Sequence, residues 1–357
     1  MDSKNGDKSL GSMATEIVLP SVGEPETLVV RRRLLAAPGP GEVVVRVEAT
    51  GVSFAEKSMR RGKYPGQPKF PFVPGYDLVG IVTLVGPGVD QVSVGQRVAA
   101  VTKTGGWADF VLLPAADLFP VPEGLDPAEA ETAVVNGVTA WQMLHDAAKI
   151  RSGQTILVHG ATSGVGVLLV QLACIAGVRV IGTASVGKHD VVRTLGATPL
   201  DYHADDLVEK VHALAPKGVD AVFDHLGGKN LYDSWRMLAP QGTLVSYAIA
   251  SLLDAPISMA SLMGTFLLHI GRLFLWDILP NGRHASFYNL WSGKTTKPKA
   301  FHEKQHTALK EVFALLASGR IQAKIGGRVP LSRAADGLRL AESGTIVGKV
   351  VLVQDLS

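Results

Sequence analysis

A glycine-rich turn between an apolar strand and an apolar helix is the part of this sequence best suited to chemistry. Residues 155–159 form a short apolar run, residues 160–166 read Gly-Ala-Thr-Ser-Gly-Val-Gly, and the helical pattern of 167–177 leads to a second strand at 178–185. Small residues keep such a turn tight and let its backbone approach a pyrophosphate, and the N–H groups that open the helix attract phosphates. The segment therefore predicts a dinucleotide-binding βαβ unit.

The contacts expected of this unit come from the turn and from later strand ends. The predicted cofactor-binding residues of the turn are Ala161, Ser163, Gly164, Val165 and Gly166. Gly227, Ser246 and Tyr247 follow later strands, and ligands of parallel sheets bind at the carboxyl ends of the strands. We therefore expect these three residues in the same cleft. His225 is interpreted either as a proton donor or as a histidine that is simply hydrogen-bonded.

The residue that ends the second strand distinguishes between the two nicotinamide dinucleotides. An NAD site usually has an Asp or Glu about 20 residues beyond the motif, where it binds the ribose 2′-hydroxyl. Ser185 stands at that position, 19 residues after Gly166 (185 − 166), and residues 182–189 contain no acid. A serine hydroxyl, the ammonium of Lys188 and the nearby Tyr202 suit a 2′-phosphate, which a carboxylate would repel. The pattern therefore predicts NADPH rather than NADH.

Composition excludes several classes of protein. Of the 357 residues, 46% are hydrophobic and 19% are charged, and the formal net charge is +3. Such a chain can bury a large core and form two domains. Its near-balanced charge, without a basic stripe, predicts no nucleic-acid partner. Cys174 is the single cysteine, so an internal disulfide is impossible, which is compatible with the predicted cytoplasmic location.

Strand and helix patterns divide the chain into two parts. Residues 15–113 alternate short strands with glycine and proline turns, which predicts a mostly antiparallel, barrel-like domain. From 155 to 247 strands alternate with helices, which is typical of a doubly wound parallel sheet. The predicted fold class is α/β, with a Rossmann cofactor domain over residues 137–300. Residues 14–136 and 301–357 form the predicted catalytic domain.

Two further segments lead to predictions of their own. Residues 1–13 are polar and are interpreted as a disordered tail or a cloning tag rather than a secretory signal. Residues 257–279 are long and apolar, but Arg272 and Asp277 interrupt them. These charges favour a pocket lid or a core helix over a membrane contact, so no stable membrane insertion is expected.

Several motifs outside the turn point to a known family. They are Ala49-Thr-Gly-Val-Ser-Phe54, Pro71-Phe-Val-Pro-Gly-Tyr-Asp-Leu-Val-Gly80, Gly105-Gly-Trp-Ala-Asp109, Asn136-Gly-Val-Thr-Ala-Trp141 and Gly344-Thr-Ile-Val-Gly-Lys349. With the glycine turn and the missing acid, the chain resembles the zinc-free quinone oxidoreductase branch (zeta-crystallin-like) of the medium-chain dehydrogenases and reductases. The resemblance implies that the catalytic domain is GroES-like.

The resemblance also assigns roles to cofactor and metal positions. Ser185, Lys188 and Tyr202 match the residues that hold the 2′-phosphate in NADPH-dependent relatives. Asn136 and Thr139 match the nicotinamide side of the cofactor, although a helix N-cap role is the alternative for Asn136. In zinc-bearing members one ligand falls where Ser53 stands and a histidine falls where Tyr76 stands. Neither is a plausible zinc ligand, so no metal site is predicted and alcohol oxidation is disfavoured.

The candidate catalytic residues are two tyrosines. A nicotinamide hydride reduces quinones or the β-carbon of α,β-unsaturated carbonyls, and the carbonyl oxygen then needs a hydrogen-bond donor. Tyr64 matches a substrate-pocket tyrosine of the quinone reductases, and Tyr76 stands at the vacated ligand position. For each, a core or loop aromatic is the alternative. The predicted function is a zinc-independent, NADPH-dependent reductase of a quinone or conjugated carbonyl.

Two other functions and one assembly remain open. An enoyl-thioester reductase would need a basic entrance for its carrier, and Lys294, Lys297 and Lys299 are a weak indication of one. A non-enzymatic NADPH-binding adaptor or a crystallin-like protein is the second alternative. In the family, the strand equivalent to the segment from Ser286 to Trp291 pairs with its twin. An exposed apolar edge otherwise invites aggregation, so a homodimer is predicted through this edge strand.

Overall fold

The computed structural model describes residues 13–253 and 258–355. Except for Met13, the segment 1–13 interpreted as a tail or tag lies outside the described residues, as does Ile257 at the start of the predicted apolar segment.

Strands and helices follow the order that the sequence patterns predict. The strands are β1 Met13–Val18, β2 Val29–Leu34, β3 Glu42–Val52, β4 Asp77–Val85, β5 Arg97–Val101, β6 Phe110–Pro114, β7 Leu118–Pro120, β8 Thr155–Val158, β9 Arg179–Ala184, β10 Thr198–Asp201, β11 Val219–Asp224, β12 Leu238–Ser246, β13 His284–Phe287, β14 Ile325–Pro330 and β15 Lys349–Val353. The helices are α1 Phe54–Arg60, α2 Pro127–Ala133, α3 Val135–Gln142, α4 Gly164–Ile175, α5 His189–Thr194, α6 Leu207–Leu214, α7 Asn230–Arg236, α8 Ala250–Leu253, α9 Met259–Asp277, α10 Pro298–Ala317 and α11 Ala334–Glu342.

The second half of the chain forms a parallel sheet of the doubly wound type. Its strands lie in the order β10-β9-β8-β11-β12-β13, and neighbouring strands are parallel. All four residues of β8 are buried, because helices cover both faces of such a sheet. The strand order reverses between β8 and β11, and this reversal opens a crevice at their carboxyl ends. The prediction of a Rossmann-type α/β fold is confirmed.

The first part of the chain and its last strands form a second, mostly antiparallel sheet. Its order is β14-β15-β3-β4-β5-β7, β6 pairs with β3, and β14 and β15 are parallel to each other. Alternate residues of β3 pack inward: Val43, Val45 and Val47 are 0 to 2% exposed. The predicted antiparallel domain is confirmed. One apolar cluster contains Val79 of β4 and Phe223 of β11, so the two sheets share a core.

Two segments differ from the sequence-based expectation. The edge strand was expected between Ser286 and Trp291, but β13 ends at Phe287, and the chain then leaves the sheet edge. The predicted dimer strand is therefore shorter and begins earlier. The predicted domain limits at 136 and 301 fall inside α3 and α10, and they remain predictions.

Helix α9 is mostly exposed and is not a core helix. By length and composition α9 could cross a membrane. Its most apolar 18-residue stretch has a mean hydropathy of 1.3, and 17% of that stretch is buried. Leu262, His269 and Leu273 face inward. The opposite face is apolar as well: Leu268 and Phe274 are 71% and 64% exposed.

Candidate active site

The crevice between the two sheets is a cleft with a volume of about 740 Å³. The parallel sheet contributes the glycine turn and the loops after β11 and β12, and the antiparallel part contributes α1, the loop before β4 and the segment that precedes β15. Of the predicted site residues, those that line this cleft are Tyr64, Tyr76, Asn136, Thr139, Ser163, Gly164, Val165, Lys188 and Tyr247.

The glycine turn has the geometry of a phosphate cradle. Ser163 caps α4, and its Oγ accepts a hydrogen bond from Gly166 N at 3.1 Å. A Cβ at Gly166 would lie 2.1 Å from the carbonyl oxygen of Gly160, so only glycine allows the helix to start this close to the strand. The first N–H groups of a helix have no intrahelical acceptors, and Ser163, Gly164 and Val165 at the start of α4 line the cleft.

A chain of buried hydrogen bonds supports the loops on either side of the turn. His159 Nδ1 lies 3.3 Å from Thr183 Oγ1, and His159 Nε2 lies 3.1 Å from Ser234 Oγ, which donates to Asp224 Oδ2 at 2.7 Å. Asp224 Oδ1 accepts the backbone N–H groups of Leu226 and Gly227. Burial lowers the pKa of His159, so the ring is neutral and donates through Nε2. The chain holds the loop that contains Gly227 in place.

Two buried polar atoms at the cleft have no partner among the described residues. They are His225 Nδ1 and Tyr247 Oη. Buried polar atoms are normally hydrogen-bonded, so these two atoms fit a polar ligand such as a dinucleotide. Burial lowers the pKa of His225 to about 4 and raises that of Tyr247. The imidazole is therefore neutral and the phenol protonated, both residues line the cleft, and together with the cradle they fit NADPH.

Lys188 bridges the two halves of the cleft. Its Nζ donates to the carbonyl oxygens of Gly344 at 2.6 Å and Ile346 at 2.7 Å. An ammonium has three N–H donors, so one remains for a ligand. Burial lowers the pKa of Lys188. Ser185 and the half-exposed Tyr202 follow β9 and β10, at the same margin of the sheet.

Other predicted cofactor residues occupy supporting positions. Asn136 lies against the first turn of α4, since a Cβ on Gly164 would be 2.5 Å from Asn136 Nδ2. Ala161 is fully buried behind the turn. The hydroxyl of Ser246 is 2.9 Å from His269 Nε2 and so ties β12 to α9. Its side chain therefore points away from the cleft that it was predicted to line.

Tyr64 and Tyr76 form a hydrogen-bonded pair on the antiparallel side of the cleft. Their hydroxyl oxygens are 2.6 Å apart, and Trp291 Nε1 donates to Tyr76 Oη. The ring centroids of Tyr76 and Trp291 are 5.6 Å apart in an edge-to-face arrangement. Burial raises the pKa of Tyr64 and of Tyr76, so both phenols stay protonated. Trp291 donates to Tyr76, and either hydroxyl of the tyrosine pair can donate to the other; where Tyr76 donates to Tyr64, the Tyr64 proton is free for a ligand.

The positions that hold zinc in related dehydrogenases do not fit a metal. Ser53 is the N-cap of α1: its Oγ accepts from Ala55 N and its hydroxyl is bonded to Glu56 Oε2. Tyr76 is occupied by Trp291 and Tyr64, and a protonated phenol is a poor zinc ligand. Across residues 13–253 and 258–355, no group of three or more His, Cys, Asp or Glu side chains could hold a metal ion.

The structure adds cleft residues that sequence reasoning missed. They are chiefly Leu262, Met263 and Phe266 of α9, Phe287 at the end of β13, and Tyr288 and Trp291 beyond it. The aromatic run from Phe287 to Trp291 was a visible signal, but it was interpreted as part of an edge strand. The apolar segment 257–279 was interpreted as a pocket lid or a core helix. In the structure Leu262 and Phe266 of α9 line the cleft, as residues of a lid would.

Comparisons with known proteins agree with this geometry. A family model described as the alcohol dehydrogenase GroES-like domain matches residues 39–123, and one described as zinc-binding dehydrogenase matches residues 195–352. The synaptic vesicle membrane protein VAT-1 homolog of Rattus norvegicus is 35% identical over 321 residues, which cover 89% of this chain and 78% of that protein.

Solved structures are similar over almost the whole chain. Escherichia coli quinone oxidoreductase complexed with NADPH has a TM-score of 0.82 and 26% identity, covering 95% of this chain and 99% of its own. A mycobacterial protein complexed with NADPH has a TM-score of 0.80 and 31% identity, covering 96% and 100%. The human VAT-1 homolog-like protein has a TM-score of 0.80 and 26% identity, covering 97% and 100%.

Proposed function

The chain belongs to the zinc-free, quinone oxidoreductase-like branch of the medium-chain dehydrogenases and reductases, and from this membership we propose that it is an NADPH-dependent reductase of quinones or α,β-unsaturated carbonyl compounds. The observation that supports this most directly is the Tyr64–Tyr76 hydroxyl pair, which faces the same cleft as the glycine turn. A hydrogen-bond donor opposite a dinucleotide site is what reduction of a conjugated carbonyl requires.

Each part of the cleft has a proposed task. NADPH supplies the hydride. The N–H groups of the turn that begins α4 hold the pyrophosphate, and Ser185, Lys188 and Tyr202 hold the 2′-phosphate. Asn136 and Thr139 lie beside the first turn of α4 and orient the nicotinamide end. The buried His225 Nδ1 and Tyr247 Oη form hydrogen bonds with the cofactor.

The acceptor would bind in the cleft beside Tyr64, Tyr76 and Trp291, where a bound NADPH would supply the hydride. The hydroxyl of Tyr64 donates to its carbonyl oxygen, and this hydrogen bond strengthens as negative charge builds on that oxygen. In this scheme Trp291 donates to Tyr76 and Tyr76 donates to Tyr64, which would orient the Tyr64 proton toward the acceptor. No metal takes part in this scheme, so unactivated alcohols and ketones are not substrates.

Turnover of an acceptor panel tests the proposal. NADPH oxidation is followed with 1,4-benzoquinone, a 2-alkenal, an enoyl thioester and a saturated ketone, and NADP⁺ reduction is followed with a primary alcohol. We expect activity with the quinone, the alkenal or both, and none with the ketone or alcohol. Preference for the thioester would favour the enoyl reductase alternative. NADPH binding without any turnover would replace the enzyme by a cofactor-binding adaptor.

A second candidate function is supported by the outer face of α9. Its side chains Leu267, Leu268, Phe274 and Leu275 are 59 to 71% exposed, and the matching relatives are named synaptic vesicle membrane proteins. Four large apolar side chains exposed together on one helix face mark an interaction surface. The candidate is an adaptor that lies on a membrane surface through α9 without spanning it. The predicted homodimer would cover the same margin of the molecule, next to β13.

Flotation with phosphatidylcholine vesicles separates these possibilities. The double variant Leu268→Glu/Phe274→Glu is compared with Val94→Glu/Leu34→Glu, whose positions are 60% and 69% exposed elsewhere on the surface. A membrane-surface role predicts that only the α9 variant stops floating with vesicles. If wild type does not float and the α9 variant instead changes from dimer to monomer, the face is a subunit contact.

A further inference from the structure

Three charged side chains are completely buried between the antiparallel sheet and α2. Lys349 Nζ lies 2.7 Å from Asp77 Oδ2 and 2.6 Å from Glu131 Oε1, and the side chains are 2%, 0% and 0% exposed. Burying ions costs several kcal/mol each before pairing, and apolar residues can often replace such a cluster without loss of stability. The proposed reaction uses none of the three, so their placement needs another explanation.

The cluster contains two carboxyl groups and one ammonium. Burial, followed by the charge of Asp77, raises the pKa of Glu131. Burial opposes the charge of Lys349, but Asp77 and Glu131 outweigh it, and its pKa is raised. Two buried carboxyl groups beside one ammonium leave excess negative charge unless the cluster keeps a proton, and the raised pKa favours Glu131 as the group that holds it. The oxygens left over, Asp77 Oδ1 and Glu131 Oε2, have no other hydrogen-bond partner, so the Glu131 proton can lie between them.

The side chain of Asp77, the first residue of β4, also caps the N-terminus of helix α3. Its Oδ2 accepts the backbone N–H of Val135 at 3.0 Å. Val135 is the first residue of α3, and the preceding Val134 has no side chain that can cap the helix. A carboxylate at this end satisfies a free N–H and interacts favourably with the helix dipole. Asp77 thus fixes the start of α3, whose first turns contain Asn136 and Thr139.

The same residue is adjacent in sequence to Tyr76. Tyr76 is the bend residue immediately before β4 and lines the cleft, while the side chain of Asp77, the first residue of β4, is bonded to α3. On the other side of the cluster, Gly348 precedes Lys349 and donates its N–H to Thr162 O of the glycine turn at 2.9 Å. One buried cluster therefore connects the tyrosine pair, α3 and the dinucleotide turn.

We propose that Asp77 is a positioning residue: it sets the placement of the Tyr64–Tyr76 pair relative to Asn136 and Thr139, with Lys349 as its counter-ion. The inference rests on the proposed reductase function. Asp77 touches neither cofactor nor acceptor. Its effect comes through the Val135 hydrogen bond on one side and the backbone of Tyr76 on the other.

Isosteric and truncated variants test this role. In Asp77→Asn, the amide oxygen can still accept from Val135 and Lys349, while Glu131 ionises and accepts from the new NH₂. In Glu131→Gln, a neutral group replaces a neutral group. Both variants should keep kcat within about 3-fold of wild type. Asp77→Ser also leaves Glu131 to balance Lys349, but its hydroxyl is too short to reach Val135, so kcat should fall about 10-fold or more.

Two readouts separate positioning from a purely structural role. In the cofactor-free protein, the amides of residues 135–139 should exchange with deuterium at least about 10-fold faster in Asp77→Ser, and unchanged in Asp77→Asn and Glu131→Gln. NADPH affinity should stay within about 3-fold, and the primary isotope effect with deuterated NADPH should rise as hydride transfer becomes limiting. A lower melting temperature with unchanged kcat would overturn the proposal.

The result also distinguishes this inference from the proposed function. If the wild type turns over an acceptor and Asp77→Ser has an equal kcat, the positioning role alone is refuted. It is also refuted if Asp77→Asn is as impaired as Asp77→Ser. Absence of wild-type turnover with every acceptor refutes the reductase. If Asp77→Ser does not fold, Asp77→Glu replaces it. That variant keeps charge and acceptor but adds a methylene, and it should lower kcat while binding NADPH normally.

Discussion

At the scale of single residues, burial decides what Tyr64 and Tyr76 can do. Tyr76 is 6% exposed, and its hydroxyl accepts from Trp291. Burial raises the pKa of both phenols, so at neutral pH they are donors and not bases. We propose that Tyr76, which accepts from Trp291, donates to Tyr64, so that the Tyr64 proton is the one available to the acceptor. The two tyrosines therefore have unequal roles.

Removal of the Tyr64 hydroxyl tests this difference. Tyr64→Phe should lower kcat/KM for the accepted quinone or enone about 10-fold or more with NADPH affinity unchanged, since loss of one transition-state donor commonly costs that much. Tyr232→Phe is the control, because Tyr232 is half exposed on α7 outside the cleft. Since the Tyr64 pKa is raised, wild-type kcat/KM should show no loss from phenol ionisation up to about pH 10. An unchanged kcat/KM in Tyr64→Phe would remove Tyr64 from the mechanism.

Lys188 illustrates a role that the sequence predicted only in part. The sequence predicted a phosphate contact, and the structure adds the hydrogen bonds to Gly344 and Ile346 across the cleft. The ammonium is therefore oriented before a 2′-phosphate arrives, which reduces the entropy lost on binding. This is a reason to expect a strong contribution to cofactor selectivity.

Titration with both cofactors measures that contribution. Lys188→Ala should weaken NADPH binding by about 1.5–3 kcal/mol, which is the range of a charge-assisted hydrogen bond, and should affect NADH far less. Lys188→Arg, which keeps the charge, is the matched control and should lose less NADPH affinity than Lys188→Ala. Equal losses for NADPH and NADH would show that Lys188 supports the cleft without recognising the 2′-phosphate.

At the scale of elements, α9 has two apolar faces with different surroundings. Leu262, Met263 and Phe266 line the cleft, and Phe266 packs edge-to-face on Phe287 with ring centroids 5.2 Å apart. The opposite face is exposed. Because α9 lines the cleft with one face and exposes the other to a partner or a membrane, we expect binding at either face to affect binding at the other.

Truncation of the inner face tests the lid role. Phe266→Ala should raise KM for a bulky apolar acceptor about 5- to 20-fold, the equivalent of roughly 1–2 kcal/mol of lost apolar contact, with NADPH affinity unchanged. The matched control is Phe274→Ala on the outer face, which is 64% exposed and should leave KM unaltered. Equal KM values for wild type and Phe266→Ala would mean that α9 does not contact the acceptor.

At the scale of the whole molecule, the contact between the two sheets creates the site. The turn comes from the parallel sheet, the tyrosine pair from the loop and strand start of the antiparallel part, and Trp291 from the segment after β13. Among the strands that the structure describes, β13 pairs only with β12, which leaves its outer edge for the predicted homodimer.

Metal independence is a prediction that concerns the whole molecule. The purified protein should contain far less than one zinc per chain, and treatment with EDTA should leave reductase activity unchanged, because Ser53 and Tyr76 are already committed to hydrogen bonds. Elemental analysis of active protein provides the measurement. Stoichiometric zinc that restores activity after chelation would contradict the proposed chemistry.

The sequence by itself determined the order of the elements, the dinucleotide turn and the preference against NAD. These features depend on local rules: apolar periodicity, glycine in a tight turn, and the residue type at the end of β9. The strands predicted at 155–159 and 178–185 agree with β8 and β9 to within one residue at each end. The Ser286–Trp291 segment was misjudged because strand propensity cannot show where a chain leaves a sheet edge.

Only the tertiary structure decided which side chains meet. Trp291 and Tyr76 are 215 residues apart in sequence, and Lys349 and Asp77 are 272 apart, yet both pairs are in hydrogen-bond contact. It also decided that Ser246 faces His269 and that Lys188 reaches Gly344. Contacts of this kind depend on how two sheets pack around one core. Neither the periodicity nor the spacing of residues along the chain predicts that arrangement.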